Sequence, residues 1–258
     1  MQITFRKIKS ELSKEFHFLT NKKPGNNILF DHLPRCGGRS FKAFLQSNYL
    51  WRETYSISGA EPRKYVDRFM EMTAARRSRY RLIQGHLANK LIPYVDENFI
   101  KITVFREPVA RMISHYFFAK GLPAHYLHNK IHKSNLSLKD YVTSQLTDET
   151  ENWYTQHFSG LSLTELNKDP EAALKLAEEN LQKTYHFVGL TEKLDSFIGK
   201  ICHETGLVHP DAKLHLNQSD QSGAAKQIDP DILKSIAEKN HLDVKLYNYA
   251  CNLASEET

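Results

Sequence analysis

The feature that most constrains the fold is a strand, a glycine turn and a helix in direct succession between residues 28 and 44. The turn has the sequence LPRCGGRS, at residues 33–40. Gly37 and Gly38 let the chain turn tightly and let a ligand approach the backbone closely. A helix that begins near Arg39 adds the positive end of its dipole, which attracts anions. The pattern therefore predicts a phosphate-binding loop, with Arg35, Arg39 and Ser40 as side-chain donors.

A second junction of the same kind follows the β-branched, apolar strand predicted at residues 100–105. It carries Arg106, Glu107 and Pro108, and Pro108 suits the first turn of a helix. Apolar residues then recur at helical spacing, which predicts a buried helix face and places Ser114 inside this helix. Two strand-to-helix junctions with arginines imply neighbouring parallel strands, with a ligand crevice at their carboxyl ends.

The other segments complete an α/β pattern. Further strands are predicted at residues 80–84 and 185–189, and an irregular excursion at residues 121–135. Helices are predicted at residues 62–76, 136–146, 151–158, 170–183, 194–201 and 242–253. Asp229 and Pro230 predict the N-cap and the first turn of one more helix.

Composition is that of a globular protein with one core. The chain has 258 residues, of which 40% are hydrophobic and 25% charged. We expect a basic N-terminal extension at residues 1–27 and a single α/β domain at residues 28–258. Residues 60–81 hold seven Lys/Arg against three Asp/Glu, and residues 1–25 hold six against two. Such local patches suit an anionic ligand or substrate better than a nucleic-acid surface, with solvated faces as an equal alternative.

Cysteine and histidine usage gives no sign of a metal site. The three cysteines, Cys36, Cys202 and Cys251, form no CxxC pair, so we expect neither zinc nor disulfides, and a reducing compartment. His128 and His132 have i, i+4 spacing, but exposed loop histidines are the favoured interpretation. The N-terminal apolar runs are too short for a signal peptide or membrane anchor. We expect a cytoplasmic protein, or the soluble part of a membrane-anchored enzyme. The oligomeric state is left open, with a homo-oligomer as one possibility.

Taken together, the two junctions resemble those of the sulfotransferases that use 3′-phosphoadenosine-5′-phosphosulfate (PAPS). Residues 33–40 resemble their 5′-phosphosulfate loop, P-K-[TS]-[GA]-[GST]-[ST]-[ST]. Residues 104–116, VFREPVARMISHY, are similar to their 3′-phosphate loop, R-[DE]-P-x-x-R-x-x-S-x-Y, with every key position filled. The resemblance runs from Ile28 to Cys251. It implies a P-loop-like three-layer α/β fold with a central parallel sheet flanked by helices, and sulfuryl transfer from PAPS to a hydroxyl without a metal.

Three further stretches are similar to the group that contains the heparan and uronyl 2-O-sulfotransferases. They are Gly85-His86, FVGLTE at residues 187–192 and HLNQS at residues 215–219. In that group the histidine is the proposed base, the second stretch lies near the adenine, and the third covers the cofactor. The resemblance therefore implies a saccharide acceptor, which can be acidic, or a glycolipid.

The resemblance assigns roles residue by residue. It implies that His86 is the base and that Arg35 stabilises the charge of the leaving group. The 5′-phosphosulfate would be held by Arg35, Cys36, Gly37, Gly38, Arg39 and Ser40. The rest of the donor would be held by Arg106 and Ser114 at the 3′-phosphate, and by Leu190, Asn217 and Ser219.

One departure from the family pattern concerns the chemistry. The family's loop lysine is Arg35 here, and the following Thr or Ser is Cys36. Arginine can stabilise charge on the bridging oxygen bidentately, but it cannot donate a proton as a lysine can. At Cys36, one strong hydroxyl donor is lost.

Alternatives remain open for several of these residues. His86 could be a core or capping histidine, with His32 and His115 as reserve candidates for the base. Arg106 could form a helix-start salt bridge with Glu107 or Asp140. The aromatic stretch Trp153 to Gly160 could line the acceptor side or belong to the core. Four arginines could attract an acidic saccharide or face solvent, namely Arg76, Arg77, Arg79 and Arg81.

Two other functions compete with transfer. A non-catalytic nucleotide- or anion-binding relative would keep the fold and lose chemistry at Arg35. A P-loop kinase is disfavoured because Walker A requires G-x-x-x-x-G-K-[ST], whereas this loop starts with Pro34 and ends in Gly38-Arg39-Ser40.

Overall fold

A computed structural model describes residues 25–209 and 228–256. Almost all of the predicted basic extension at residues 1–27 lies outside the described residues. The predicted cofactor contacts Asn217 and Ser219 lie outside them as well. The prediction of a single domain at residues 28–258 stays a prediction.

Five strands of the described chain form one parallel sheet, in the order β2-β3-β1-β4-β5. They are β1 (Asn27–Asp31), β2 (Thr54–Ser56), β3 (Leu82–Gly85), β4 (Phe99–Phe105) and β5 (Phe187–Leu190). The predicted α/β class, with a central parallel sheet flanked by helices, is confirmed. The short edge strand β2 was not predicted, because three residues are too few to show an alternating pattern.

The central strand β1 is paired on both sides. Asp31 at its carboxyl end lies opposite Gly85 of β3 and opposite Thr103 of β4. The prediction that the strands of the two junctions are parallel neighbours is therefore confirmed. Since β1 and β3 end in register, the residues that follow them, His32 and His86, leave the sheet side by side.

The helices alternate with these strands as the pattern predicts. They are α1 (Gly38–Ser47), α2 (Pro62–Met70), α3 (Ala74–Arg77), α4 (Pro108–Gly121), α5 (His128–Lys133), α6 (Leu138–Thr143), α7 (Trp153–Ser159), α8 (Leu163–Leu166), α9 (Pro170–Thr184), α10 (Leu194–Thr205), α11 (Pro230–Lys239) and α12 (His241–Glu256). Four short 3₁₀ helices lie at Trp51–Glu53, Ala88–Tyr94, Asp148–Thr150 and Thr191–Lys193. Pro108 and Pro230 open α4 and α11, and Glu107 and Asp229 accept from the first N–H groups as N-caps.

The chain divides into two compact units. The described part of the first unit comprises residues 25–33, 37–104 and 193–209, and that of the second comprises residues 34–36, 105–192 and 228–256. The core of the first unit includes Leu29, Phe69 and Ile83. The core of the second includes Met112, Tyr141 and Ile236.

Two predictions of secondary structure were wrong. The helix predicted at residues 62–76 is broken between α2 and α3, where the Arg77 guanidinium donates to the carbonyl oxygens of Met70 and Met72. Met72 is buried, so packing and this cap override the helical periodicity. The excursion predicted at residues 121–135 contains the helix α5, whose Ile131 is buried in the second core.

Candidate active site

The predicted phosphate loop is a turn with two residues in left-handed conformation. The φ of Arg35 is 68° and that of Gly37 is 70°. Gly37 adopts this φ without steric cost, whereas in Arg35 it strains the backbone by about 1–2 kcal/mol. Because α1 begins at Gly38, the N–H groups of Gly38 and Arg39 have no acceptor within the helix, whereas that of Ser40 donates to the main-chain oxygen of Gly37 over 3.1 Å. The Arg39 side chain is exposed, and Ser40 is half-buried.

Gly38 is required for a reason other than its backbone conformation. A Cβ atom at this position would overlap the imidazole of His32, which lies against the Gly38 Cα. The His32 ring is also stacked on Phe30, with 5.6 Å between ring centroids. The second glycine of the turn therefore makes room for a histidine from the end of β1.

His86 is also stacked on this histidine. Its ring centroid lies 4.3 Å from that of His32, at an interplanar angle of 24°. His86 Nδ1 is 2.7 Å from the main-chain oxygen of His32. A carbonyl oxygen only accepts, so Nδ1 carries a proton, and in the neutral ring the lone pair lies on Nε2. His86 thus has the tautomer that a base acting through Nε2 requires.

In the second unit, three residues of the two motifs lie together. Arg35 Nε donates to Ser114 Oγ over 3.0 Å, and Arg106 Nη1 donates to the main-chain oxygen of Arg35 over 3.3 Å. The Arg35 guanidinium also lies 4.2 Å above the centre of the Phe118 ring. Ser114 is only 1% exposed, so its hydroxyl is held inside α4 beside the arginine. The arrangement brings two guanidinium groups and one hydroxyl into one cluster.

The salt bridges considered for Arg106 are not formed. Glu107 caps α4 by accepting from Val109 N and Ala110 N, and Asp140 forms a capping box with Ser137. Across residues 25–209 and 228–256, no carboxylate lies within 4.0 Å of the Arg106 guanidinium. Its positive charge is therefore available to an anionic ligand.

Cys36 turns away from the solvent toward Tyr154. Its Sγ lies 3.1 Å from the Tyr154 hydroxyl, and both side chains are almost fully buried. Burial raises the pKa of the Cys36 thiol to about 11, although the hydrogen bond with Tyr154 opposes the shift. The group is therefore a neutral thiol near pH 7. From the sequence, Tyr154 was considered only within the aromatic stretch that could line the acceptor side or belong to the core. Its contact with Cys36 was not predicted, because it joins positions 118 residues apart.

Arg111 is a fully buried cation in the same unit. Its Nη2 donates to the main-chain oxygen of Glu149 over 3.0 Å, while Nε and Nη1 have no acceptor among the residues that the structure describes. The guanidinium carbon lies 5.1 Å from the Tyr154 ring centre and 5.3 Å from that of Trp153. Besides this one hydrogen bond, cation–π contacts and the nearby carboxylates of Glu149 and Asp243 stabilise the charge of Arg111.

His115, one of the reserve candidates for the base, is locked into a buried network. Its Nε2 lies 3.0 Å from Glu149 Oε2, and its Nδ1 lies 2.8 Å from the Tyr141 hydroxyl. The residue is 2% exposed. With both ring nitrogens engaged inside the protein, His115 is poorly suited to act as the base.

The same network predicts acid sensitivity of the fold. Burial raises the pKa of Glu149, but the hydrogen bond and charge of His115, with Arg111 and Tyr126, outweigh burial and hold it at about 2. Because this lies below the ordinary value of 4.5, ionised Glu149 stabilises the fold fully above about pH 4.5. This contribution, on the order of 2–3 kcal/mol, is lost as the pH falls through about 2.

We expect urea unfolding of the wild type between pH 5 and 2 to show this loss, and Glu149→Gln to flatten the profile by removing the titrating group. Glu97→Gln, at an exposed carboxylate, is the control and should follow the wild type. A Glu149→Gln profile as steep as that of the wild type would contradict the assignment.

The other predicted site residues are placed as follows. Leu190 ends β5 with a side chain 7% exposed, and the next residue, Thr191, donates through its hydroxyl to the main-chain oxygen of Phe105. In the aromatic stretch, Tyr154 and Phe158 are buried in the second unit, and Trp153 and His157 are half-buried. Among the basic side chains of the first unit, Arg76 and Arg79 are exposed, while Arg77 and Arg81 are half-buried.

Neither a metal centre nor a membrane span is present in the described parts of the chain. No group of three or more His, Cys, Asp or Glu side chains there is arranged to hold a metal ion. The rings of His128 and His132 lie 4.3 Å apart without such a group. The described helices include none with the length and hydropathy needed to cross a bilayer.

Comparison with known proteins agrees with this geometry. The model of the sulfotransferase family matches the chain over residues 17–250, and this range includes both strand-to-helix junctions. No curated protein matches the chain. The resemblance drawn from the two loops is thereby confirmed, and the chain belongs to the sulfotransferase family, whose members transfer sulfuryl groups to an acceptor.

Proposed function

We propose that this protein transfers a sulfuryl group from PAPS to a hydroxyl of a saccharide, which can be acidic, or of a glycolipid. PAPS supplies an activated sulfuryl group on a phosphosulfate anhydride. The reaction would be an in-line displacement, in which positioning and charge stabilisation provide most of the catalysis. Arg106 and Ser114 would hold the 3′-phosphate, and residues 33–40 the 5′-phosphosulfate.

The observation that carries the proposal is the cluster of Arg35, Arg106 and Ser114. The family motifs assign exactly these positions to the donor's phosphates, and the side chain of Arg35 bonds to Ser114 while that of Arg106 bonds to the Arg35 main chain. In the described chain, Arg106 has no carboxylate partner. An arginine that binds an anionic ligand needs its charge unpaired in this way. Two guanidinium groups and a hydroxyl in one cluster fit a donor that carries phosphate groups.

Arg35 would act on the charge that develops as the sulfuryl group leaves. Its guanidinium is permanently positive, and it can bind the bridging oxygen through two parallel N–H groups. It cannot deliver a proton near neutral pH, so its role is electrostatic stabilisation. The hydrogen bond to Ser114 and the contact with Phe118 orient the guanidinium for that role.

His86 would remove the proton of the acceptor hydroxyl. The main-chain oxygen of His32 fixes the Nδ1 proton and leaves Nε2 as the basic atom of the neutral ring. The ring is half-buried and bordered by Gly59, whose Cβ position would lie 3.7 Å from Nε2. The absence of a side chain at residue 59 keeps space beside the base. The exposed Arg76 and Arg79 of the same unit support an acceptor that can be acidic.

Transfer of labelled sulfate from PAPS to a panel of glycans and glycolipids tests the proposal. We expect Arg106→Ala to raise the KM for PAPS about 10–100-fold, because a charge-assisted hydrogen bond is lost. Arg106→Lys keeps the charge and should lie between this variant and the wild type. Arg63→Ala, at an exposed arginine of α2, is the control and should behave as the wild type.

Two results would favour the other functions. Tight binding of adenosine 3′,5′-bisphosphate without transfer to any acceptor would indicate a non-catalytic relative. Mg²⁺-dependent hydrolysis of ATP would indicate a kinase-like protein. An unchanged KM for PAPS in Arg106→Ala would contradict the assignment of the 3′-phosphate site.

A further inference from the structure

Tyr154 occupies a fixed position at the start of α7. Its side chain is fully buried, and its ring contacts that of Phe105 edge-on, with 4.9 Å between centroids. The buried carboxylate of Asp243 accepts from Tyr154 N over 2.9 Å and from Thr155 N over 2.8 Å. Main chain and ring are therefore held independently of the hydroxyl, so the hydroxyl is presented from a rigid support.

The hydroxyl joins the two motif segments of the second unit. Tyr154 donates to the main-chain oxygen of Arg106 over 2.8 Å and accepts from Arg106 N over 3.3 Å. A tyrosine hydroxyl has one proton and two acceptor lone pairs. Since its proton goes to the Arg106 oxygen, the thiol proton of Cys36 is the one left for the 3.1 Å contact, in competition with the main-chain oxygen of Pro34 at 3.5 Å. The raised pKa of Cys36 agrees with a thiol that keeps this proton.

This contact accounts for the departure of the loop from the family pattern at residue 36. The thiol is 1% exposed and lies between the Tyr154 hydroxyl and the main-chain oxygen of Pro34, 3.5 Å away. A side chain in this position makes its contacts inside the protein, and there a weak hydrogen-bond donor such as a thiol is sufficient. The neighbouring residue, Arg35, then carries the ligand-directed charge.

We propose that Tyr154 is a positioning residue for sulfuryl transfer. Its hydroxyl holds Cys36 and Arg106 together. The guanidinium groups of Arg35 and Arg106 are thereby presented to the donor in one fixed arrangement. The inference rests on the proposed function, because it assumes that Arg35 and Arg106 bind PAPS. In this role Tyr154 would act without touching the donor's phosphates. Its effect passes through the main chain of Arg106 and the side chain of Cys36.

Tyr154→Phe in the full-length chain tests the inference, because it removes the hydroxyl and keeps the ring against Phe105 and Arg111. We expect the Kd for adenosine 3′,5′-bisphosphate and the KM for PAPS to rise about tenfold each, with the KM for the acceptor unchanged. The infrared S–H stretching band of Cys36 should shift as its hydrogen bond is lost. A Cys36→Ala sample identifies that band.

The control is Tyr55→Phe. Tyr55 is buried in the first unit, and its hydroxyl donates to the main-chain oxygen of Tyr65 over 2.6 Å, outside both motif segments. It should lose comparable stability without a change in nucleotide affinity. If Tyr154→Phe fails to fold, Cys36→Ala removes the other partner of the same bond and should weaken nucleotide binding, whereas Cys36→Ser restores a donor and should retain it.

The outcomes separate this inference from the proposed function. Equal nucleotide affinity in Tyr154→Phe and Tyr55→Phe, with the wild type binding well, would overturn the positioning role alone. An unmoved S–H band in Tyr154→Phe would overturn it too. A wild-type protein that does not bind adenosine 3′,5′-bisphosphate would overturn the proposed donor, and the role of Tyr154 with it.

Discussion

Replacing His86 by alanine is expected to slow sulfuryl transfer about 10²–10⁴-fold, the usual contribution of a positioned general base. Binding of adenosine 3′,5′-bisphosphate should be unchanged, because His86 is assigned to the acceptor's proton and not to the donor. The kcat for transfer of labelled sulfate and the Kd from calorimetry measure the two effects separately. Circular dichroism verifies that the variant is folded.

His203→Ala is the control for this experiment. His203 lies near the end of α10 in the same unit, exposed, with Glu204 as its ionic partner. Its removal should leave both kcat and Kd at the wild-type values. Wild-type turnover in His86→Ala would show that another group takes the proton, and His32→Ala would then be the next variant to measure.

Replacing Arg111 by alanine is expected to lower the free energy of unfolding by about 3–5 kcal/mol, as removal of one partner from a buried charge arrangement does. Burial raises the pKa of the Asp243 carboxyl, and the Arg111 charge opposes this rise. Alanine would leave Asp243 without this cation and would open a cavity beneath Tyr154 and Trp153. Urea denaturation at neutral pH measures the loss.

Two further variants make this result interpretable. Arg68→Ala removes an exposed arginine from α2 and should change the free energy of unfolding by no more than about 0.5 kcal/mol. Arg111→Lys keeps a cation but loses the planar group over the aromatic rings, so its loss should be smaller than that of alanine. If Arg111→Ala were as stable as Arg68→Ala, the buried charge would have no structural role.

The parts of the fold that depend on local sequence could be predicted. The strand, turn and helix between residues 28 and 44 follow from β-forming residues, two glycines and helical spacing, and the structure has β1 and α1 there. The Asp229 cap and the neighbouring strands β1 and β4 were predicted for similar reasons. In each case the determining interactions lie within a few residues, or follow from the topology of parallel sheets.

The parts that depend on distant contacts could not be predicted. Which face of α4 each residue occupies is set by packing, so Ser114 meets Arg35 while the adjacent His115 is enclosed with Glu149 and Tyr141. The role of Tyr154 depends on its contacts with residues 36 and 106, and no local pattern marks it. The two sequence motifs identify the residue types of the site, and the tertiary structure determines which of these residues are in contact.

Because the His32 ring lies against Gly38, we expect residues 32 and 38 to covary among related sequences. Any side chain at residue 38 must displace the His32 ring, and that ring also stacks on His86. A relative or designed variant with alanine or serine at residue 38 should therefore carry a small residue at residue 32, and the effects of the two substitutions should be non-additive. Selection that keeps glycine at residue 38 in the anion-binding turn therefore also constrains the surroundings of His86 at the end of β3.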